Sequence, residues 1–161
     1  MSGRLAALGV PLLVSLVLGV VAGIVWQVAA PTGDVVVGGG LVVAIGIPEL
    51  EAAQDATFVV VTAAAGLVSG AWLTAVPGTV PLMRAAGVVV GGLLGSLVAW
   101  GVGAQLGPPS IAAQEAAGVE PLQSPLALSS YGALGVWSAV AAAVAFAGLL
   151  VTGLLDVRSR R

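Results

Sequence analysis

The sequence predicts an all-α membrane protein, a bundle of four transmembrane helices with a short β-hairpin in the first extracytoplasmic loop. Three observations carry this prediction. The chain of 161 residues is 59% hydrophobic and only 7% charged, whereas a soluble domain carries about 25% charged residues. Four apolar segments are each long enough to cross a bilayer, which takes about 20 helical residues. All five arginines fall on the same side of a four-span topology.

The four apolar segments form a single membrane domain over residues 1–161. They are rich in Val, which favours strands in water, but an open strand in lipid would leave backbone N–H and C=O groups unpaired. A helix is therefore the predicted conformation of each segment. The predicted helices cover about residues 5–30, 57–76, 85–106 and 131–155, and the outer loops cover about residues 31–56 and 107–130.

The arginines predict the orientation. The predicted outer loops hold six acidic residues and no basic residue, while every arginine lies at a terminus or in the second connection. Because positively charged residues collect on the cytoplasmic side of a membrane, both termini are predicted to be cytoplasmic in a multi-pass plasma-membrane protein. The arginines are Arg4, Arg84, Arg158, Arg160 and Arg161.

A cleaved signal peptide is the alternative interpretation of the first segment. The small residues at 28–30 resemble a weak cleavage site, and cleavage there would leave three spans and an outer N-terminus. However, the apolar run is longer than the 7 to 15 residues of a signal peptide's core. We therefore expect the first segment to be a transmembrane helix.

The first outer loop contains the hairpin and an acidic patch. Two β-branched runs, 34–37 and 41–45, are separated by Gly38 to Gly40, a pattern typical of two strands and a turn. Glu49, Glu51 and Asp55 follow. Three carboxylates in such a short stretch could bind a cation such as Ca²⁺ through oxygen ligands. A solvated acidic turn is the favoured interpretation, so these residues are a candidate interaction patch rather than a metal site.

The second outer loop predicts one short helix at about residues 110–117, which Ser110 could cap. No chemistry is predicted for this loop. The aromatic residues Trp26, Trp100, Tyr131 and Trp137 lie toward the outer ends of their helices, the headgroup level that amphipathic rings prefer.

Small residues recur at every fourth position in all four predicted helices. Residues four apart share a helix face, and small side chains there let backbones approach closely, which favours helix packing in lipid. We expect the bundle's own contacts to use most of these faces, although one could bind another subunit. The short second connection predicts that helices 2 and 3 are neighbours. The predicted packing residues are Gly19, Gly23, Gly66, Gly70, Gly87, Gly91, Gly95, Gly135, Ala139 and Ala143.

Several classes of function find no support in the sequence. The chain has no Cys and no His, so disulfides, thiolate metal sites and the commonest general base are excluded. No ionisable residue lies within a predicted span, where ion and proton pathways usually place one. We therefore predict no catalytic residue, no cofactor and no resident metal, and the five arginines form no stripe that could bind nucleic acid.

Several segments together resemble a known family, over nearly the whole chain. The first is the Trp-Gln-Val-Ala-Ala-Pro run, which the Val-rich hairpin follows. The chain is thereby similar to a family of uncharacterised four-helix integral membrane proteins of actinobacteria, a domain of unknown function. This resemblance implies the same topology and no particular activity. The segments are 26–31, 48–51, 54–58, 91–100 and 103–108.

The leading functional prediction is a non-enzymatic structural or accessory membrane protein. It would act through lateral helix contacts or through the first outer loop, with the bilayer and a membrane-protein partner or a second copy of the chain as its partners. A small oligomeric transporter or channel component is the alternative. A membrane enzyme using Glu49, Glu51 and Asp55 is a third hypothesis, weaker than either.

Overall fold

The computed structural model describes residues 2–38, 41–43, 47–75 and 81–159. Four long helices in these ranges each contain a stretch long and apolar enough to cross a membrane, which confirms the predicted helical class. The elements in chain order are α1 (Ser2–Ala29), β1 (Asp34–Gly38), β2 (Leu41–Val43), α2 (Ile47–Ala75), α3 (Pro81–Leu106), α4 (Ile111–Ala116), β3 (Leu122–Gln123), a 3₁₀ helix (Tyr131–Gly135) and α5 (Val136–Ser159).

The helix boundaries differ from the predicted ones mainly at the start of α2. This helix begins at Ile47 rather than near residue 57, because Pro48 and Glu49 suit a first helical turn as well as a loop. The apolar segment is therefore only the second part of a longer helix. At the start of the last helix, residues 131–135 form the 3₁₀ helix, and α5 follows at Val136.

The predicted hairpin is present, and it belongs to a sheet of three strands. Strand β1 pairs antiparallel with β2, with Val37 opposite Val42. On its other side β1 pairs with β3, where Val35 lies opposite Leu122. The strand order is therefore β2-β1-β3, and the two long loops are joined through β1. The predicted turn glycines at 39–40 and the end of the predicted second strand at 44–45 lie outside the described residues.

Helices α1 and α3 pack in parallel along a row of small residues. A Cβ atom placed on Gly19 would lie 2.5 Å from the carbonyl oxygen of Gly95, and one placed on Gly23 would lie 2.6 Å from that of Ala99. The residue numbers rise together along both helices, so the two helices run in the same direction. This is the most extensive helix contact in the described part of the bundle.

Helices α2 and α5 form a second parallel pair in the same way. A Cβ atom on Gly66 would lie 2.7 Å from the carbonyl oxygen of Trp137, and one on Gly70 would lie 2.8 Å from that of Ala141. Both pairs thus bring a glycine face of one helix onto the backbone of another. Close backbone approach of this kind favours helix association where the hydrophobic effect is weak.

Contacts between α3 and α5, which run in opposite directions, join the two pairs. The Ser138 hydroxyl donates a hydrogen bond to the carbonyl oxygen of Val89 at 2.7 Å. The order around the bundle is α1, α3, α5, α2. Helices α2 and α3, predicted as neighbours because of their short connection, touch only slightly. Glycine faces, rather than the length of the connection, determine which helices pack together.

Two buried tryptophans occupy the centre of the packing. Trp26 and Trp137 are both 0% exposed, so these two rings pack inside the protein and not on its outer surface. The Trp137 indole N–H donates a hydrogen bond to the Ser69 hydroxyl oxygen at 3.0 Å. The two indole N–H groups find partners inside the protein, which is why both rings can be buried.

Candidate functional site: the loop end of the bundle

Most of the described polar contacts between distant parts of the chain lie at the loop end, which we define as the bundle end formed by the last turns of α1 and α3, the first turns of α2, and the two long loops. The opposite end, formed by the first turns of α1 and α3 and the last turns of α2 and α5, is the arginine end. All six acidic residues outside α5 belong to segments at the loop end.

Gln54 in α2 connects three segments at the loop end. Its side chain is 1% exposed. The side-chain amide nitrogen donates a hydrogen bond to the carbonyl oxygen of Pro31 in the first loop at 3.1 Å, and the side-chain amide oxygen accepts one from the backbone N–H of Ala127 in the second loop at 3.3 Å. The backbone carbonyl of Gln54 accepts from the indole N–H of Trp26, near the end of α1, at 3.0 Å. One residue therefore fixes the end of α1 and both long loops relative to α2.

Trp26 supplies the apolar part of the same connection. Its ring meets Phe58 edge-on, with ring centroids 4.9 Å apart. Gly103 of α3 lies directly against the indole, so any larger residue there would need the space that the ring occupies. Trp26 and Phe58 are both 0% exposed. The loop end is therefore held by an aromatic core as well as by hydrogen bonds.

Gln114 in α4 plays a comparable part within the second loop. Its side chain is 2% exposed and donates to the carbonyl oxygens of Pro109 at 2.7 Å and Gln123 at 2.8 Å. It also accepts from the backbone N–H of Gln123 at 2.8 Å. The side-chain amide pairs with Gln123 in both directions, as a neighbouring strand would. This contact holds β3 in place beside β1.

The predicted helix in this loop is confirmed. Helix α4 covers Ile111–Ala116, and the Ser110 hydroxyl oxygen accepts a hydrogen bond from the backbone N–H of Ala113. Ser110 thus caps the helix as predicted. Its satisfied N-terminus leaves α4 as a support for Gln114 rather than as a binding element.

The predicted acidic patch is divided by the fold. The Asp55 carboxylate accepts hydrogen bonds from the backbone N–H groups of Ser129 at 3.0 Å and Ser130 at 2.8 Å. Glu51 accepts from the Ser129 hydroxyl at 3.1 Å. Glu49 and Glu51 are both exposed. Asp55 and Glu51 therefore hold the start of the 3₁₀ helix against α2. The described residues contain no group of three His, Cys, Asp or Glu side chains that could hold a metal ion.

The predicted packing glycines of α1, α2 and α3 lie in helix contacts. The predicted glycines of α1 and α2 make the close backbone contacts within the two parallel helix pairs. On α3, Gly87 and Gly91 lie against α1, where a Cβ on Gly91 would be 2.6 Å from the Ser15 hydroxyl oxygen. A Cβ on Gly95 would lie 2.7 Å from the Trp137 ring. Thus α3 uses small residues toward both of its neighbours.

On α5 the predicted face does not pack within the chain. Ala139 and Ala143 are exposed, and a Cβ on Gly135 would meet nothing within 4 Å. The buried row instead contains Trp137 and Ala141, both 0% exposed. Positions 137 and 139 lie about 200° apart around a helix. Gly and Ala are common enough in α5 to form rows on more than one face, and the described bundle uses the row that contains Ala141.

Sequence reasoning missed Gln54 and Gln114, the two buried glutamines whose hydrogen bonds organise the loop end. Gln114 lies in a loop where no pattern marks it. Gln54 does leave a signal, because it stands four residues before Phe58 and eight before Thr62, which are both buried on α2. If the helix had been predicted to begin before residue 54, the same spacing would have placed Gln54 on that buried face.

Comparison with known protein families, with curated proteins and with solved structures finds no match for this chain. The resemblance to actinobacterial four-helix proteins therefore stays a prediction. Chemically, the loop end uses its polar side chains to bind backbone groups of its own loops. Its arrangement can hold a surface in a fixed shape, and the carboxylates of Glu51 and Asp55 contribute to it by accepting hydrogen bonds from Ser129.

Proposed function

We propose that this chain is a multi-pass membrane protein that acts as a non-enzymatic accessory subunit through lateral contacts of α5. The observation that carries the proposal is the outward row of small residues on α5, where Ala139 and Ala143 are exposed. The predicted glycines of the other three helices are used within the bundle. The α5 row is thus the predicted packing face that the described part of the chain does not cover.

The chemistry of this row suits a helix of another membrane protein. In lipid, helices associate through close backbone approach, and small residues four apart allow that approach. The row continues through the exposed Ala147, and the bulky exposed Leu150 follows on the same side of the helix, which would limit how far a partner helix extends along it. The partner we propose is therefore a transmembrane helix that meets the half of α5 nearest the loop end.

The proposed orientation has the loop end outside and both termini in the cytoplasm. Support comes from charge, because the described arginines Arg4, Arg84 and Arg158 belong to the arginine end and every acid except Asp156 belongs to the loop end. The chain has no natural cysteine, so single cysteines can report the topology without background. An impermeant thiol reagent added to intact cells should label Glu115→Cys and leave Arg158→Cys unlabelled. The reverse pattern would contradict the orientation.

The partner proposal is tested by purification from the native membrane in mild detergent, with mass spectrometry of the proteins that remain bound. A partner in fixed ratio is expected with the natural chain. It should be lost with Ala139→Leu combined with Ala143→Leu, because the larger side chains hold the helices apart. Ala64→Leu is the matched control, since Ala64 is exposed on α2, and it should retain the partner.

Two results would overturn the accessory role. One is recovery of the chain alone, and the other is equal recovery of the partner with the α5 variant and with the control. A defined homo-oligomer that leaks ions or small solutes from reconstituted vesicles would favour the transporter or channel alternative instead. Empty vesicles and the α5 variant serve as references for that flux measurement.

A further inference from the structure

An apolar cleft of about 200 Å³ lies between α3 and α5. Helix α3 contributes Ala85 and Val89 to its walls, and α5 contributes Ala142 and Phe146. Leu73 of α2 completes the lining on the bundle side. Ala142 and Phe146 are exposed, so the cleft opens on the outer surface of the bundle, where lipid would surround a membrane-spanning helix.

Small side chains create the cleft. Four of its nine lining residues are alanines, and alanine is too short to fill the space between two helices. The hydrogen bond from Ser138 to Val89 joins α3 and α5 on the side of the cleft nearest the loop end. An empty apolar cleft lacks the dispersion contacts that a close-packed surface makes. An apolar chain that entered it would restore those contacts.

The position of the cleft along the bundle indicates which kind of apolar ligand would enter it. Along α5 the lining runs from Ala141 to Leu149, about 12 Å at 1.5 Å per residue, and it extends toward the arginine end. Both helices that form the cleft carry arginine at that end. Arg84 lies in the first turn of α3, next to the lining residue Ala85, whereas Arg158 lies in the last turn of α5, about 14 Å beyond Leu149 at 1.5 Å per residue.

We propose that this cleft binds an acyl chain of an anionic phospholipid of the cytoplasmic leaflet, with the phosphate at the level of Arg84. The apolar walls match the acyl chain, and the positive charge of Arg84 matches the negative headgroup. The inference rests on the proposed membrane orientation and is independent of the partner on α5. A zwitterionic lipid would gain the same apolar contacts but less from the arginine.

The test is electron paramagnetic resonance of spin-labelled lipids with the full chain reconstituted in vesicles. The label sits on an acyl chain, and phosphatidylglycerol is compared with phosphatidylcholine. We expect the anionic lipid to be immobilised by the protein with about fivefold higher relative affinity, the effect of one arginine near the membrane surface. Raising the salt concentration should reduce that preference, because screening weakens the attraction.

Ala142→Phe should fill the cleft from its open side and remove most of the preference. Ala64→Phe adds the same ring at an exposed position of α2 outside the cleft and should leave the preference unchanged. Circular dichroism and size-exclusion elution establish that both variants fold. Equal immobilisation of the two lipids by the natural chain would overturn the inference, and so would an unchanged preference in Ala142→Phe. Neither result would bear on capture of the partner.

Discussion

The carbonyl oxygen of Gly95 occupies the place where a side chain on Gly19 would begin, 2.5 Å from the Cβ position. No real Cβ is tolerated at such a distance from a backbone atom, so α1 and α3 can take this separation only because residue 19 has no side chain. The most extensive helix contact in the described bundle therefore depends on residue 19 having a hydrogen atom where alanine would have a methyl group. Four residues later, Gly23 meets Ala99 in the same way.

Gly19→Ala is expected to destabilise the protein by about 1–3 kcal/mol, the usual cost of overpacking. The obstructing atom is backbone, so the helices must separate to admit the methyl group. Gly9→Ala is the matched control on the same helix, because a Cβ on Gly9 would meet nothing within 4 Å. It should be neutral or slightly stabilising, since Ala is the better helix former. Unfolding in mixed detergent micelles measures both, and equal stability of the two variants would contradict the parallel packing.

Gln54→Ala should loosen the whole loop end. The substitution removes the acceptor of the Ala127 N–H and the donor to the Pro31 carbonyl, two part-buried hydrogen bonds that each contribute about 0.5–1.5 kcal/mol. We expect lower stability and faster hydrogen exchange at Ala127. The measurement is hydrogen exchange followed by mass spectrometry of peptides that cover the second loop.

The control for Gln54 is Gln105→Ala, which removes an exposed glutamine near the end of α3 and should leave exchange in the second loop unchanged. Gln54→Glu is more informative. An ionised carboxylate can still accept from Ala127 but cannot donate to Pro31, so protection at Ala127 should survive better than in Gln54→Ala. If all three variants exchange like the natural chain, Gln54 does not hold the loops.

Much of this fold follows from the sequence because long apolar segments have few alternatives in lipid. The four helices, the hairpin strands and the Ser110 cap all come from local patterns. The start of α2 does not, because residues 47–56 are as suitable for a polar loop as for a helix that extends out of the membrane. Strand β3 has two residues, too few for any periodicity, and it exists because Gln114 and β1 hold it.

The arrangement of the helices is the part that local patterns could not supply. Glycine rows show that a helix can pack closely but not against which neighbour. The row on α5 illustrates this, since Ala139 and Ala143 have the same spacing as Gly66 and Gly70 yet remain exposed. Which row is used depends on the shape of the opposing helix, and that information is not local.

Asp55→Ala should release the start of the 3₁₀ helix from α2. The carboxylate accepts from two consecutive backbone N–H groups, of Ser129 and Ser130, and without it both would exchange with solvent. We expect loss of amide protection at these two positions with little change in the helices. Glu49→Ala removes an exposed carboxylate from the first turn of the same helix and should leave both amides protected. Unaltered exchange in Asp55→Ala would mean that the loop holds its shape without this contact.

Two buried serines should respond in opposite ways to the same substitution. The Ser69 hydroxyl oxygen accepts from the Trp137 indole N–H at 3.0 Å, so Ser69→Ala leaves that N–H unpaired in apolar surroundings. Polar contacts between helices in a membrane contribute about 0.6–2 kcal/mol, and we expect a loss in that range. The Ser96 hydroxyl is also buried but has no hydrogen-bond partner among the described residues.

Ser96→Ala should therefore be neutral or stabilising, because it removes a polar group that is buried without a partner. Unfolding in mixed micelles measures both serine variants, and Trp137→Phe combined with Ser69→Ala completes a double-mutant cycle. A coupling free energy between Ser69 and Trp137, together with unchanged stability of Ser96→Ala, would support the view that the Trp137–Ser69 hydrogen bond joins α2 and α5. A Ser96→Ala as costly as Ser69→Ala would mean that the Ser96 hydroxyl has a partner in the membrane, such as a bound water.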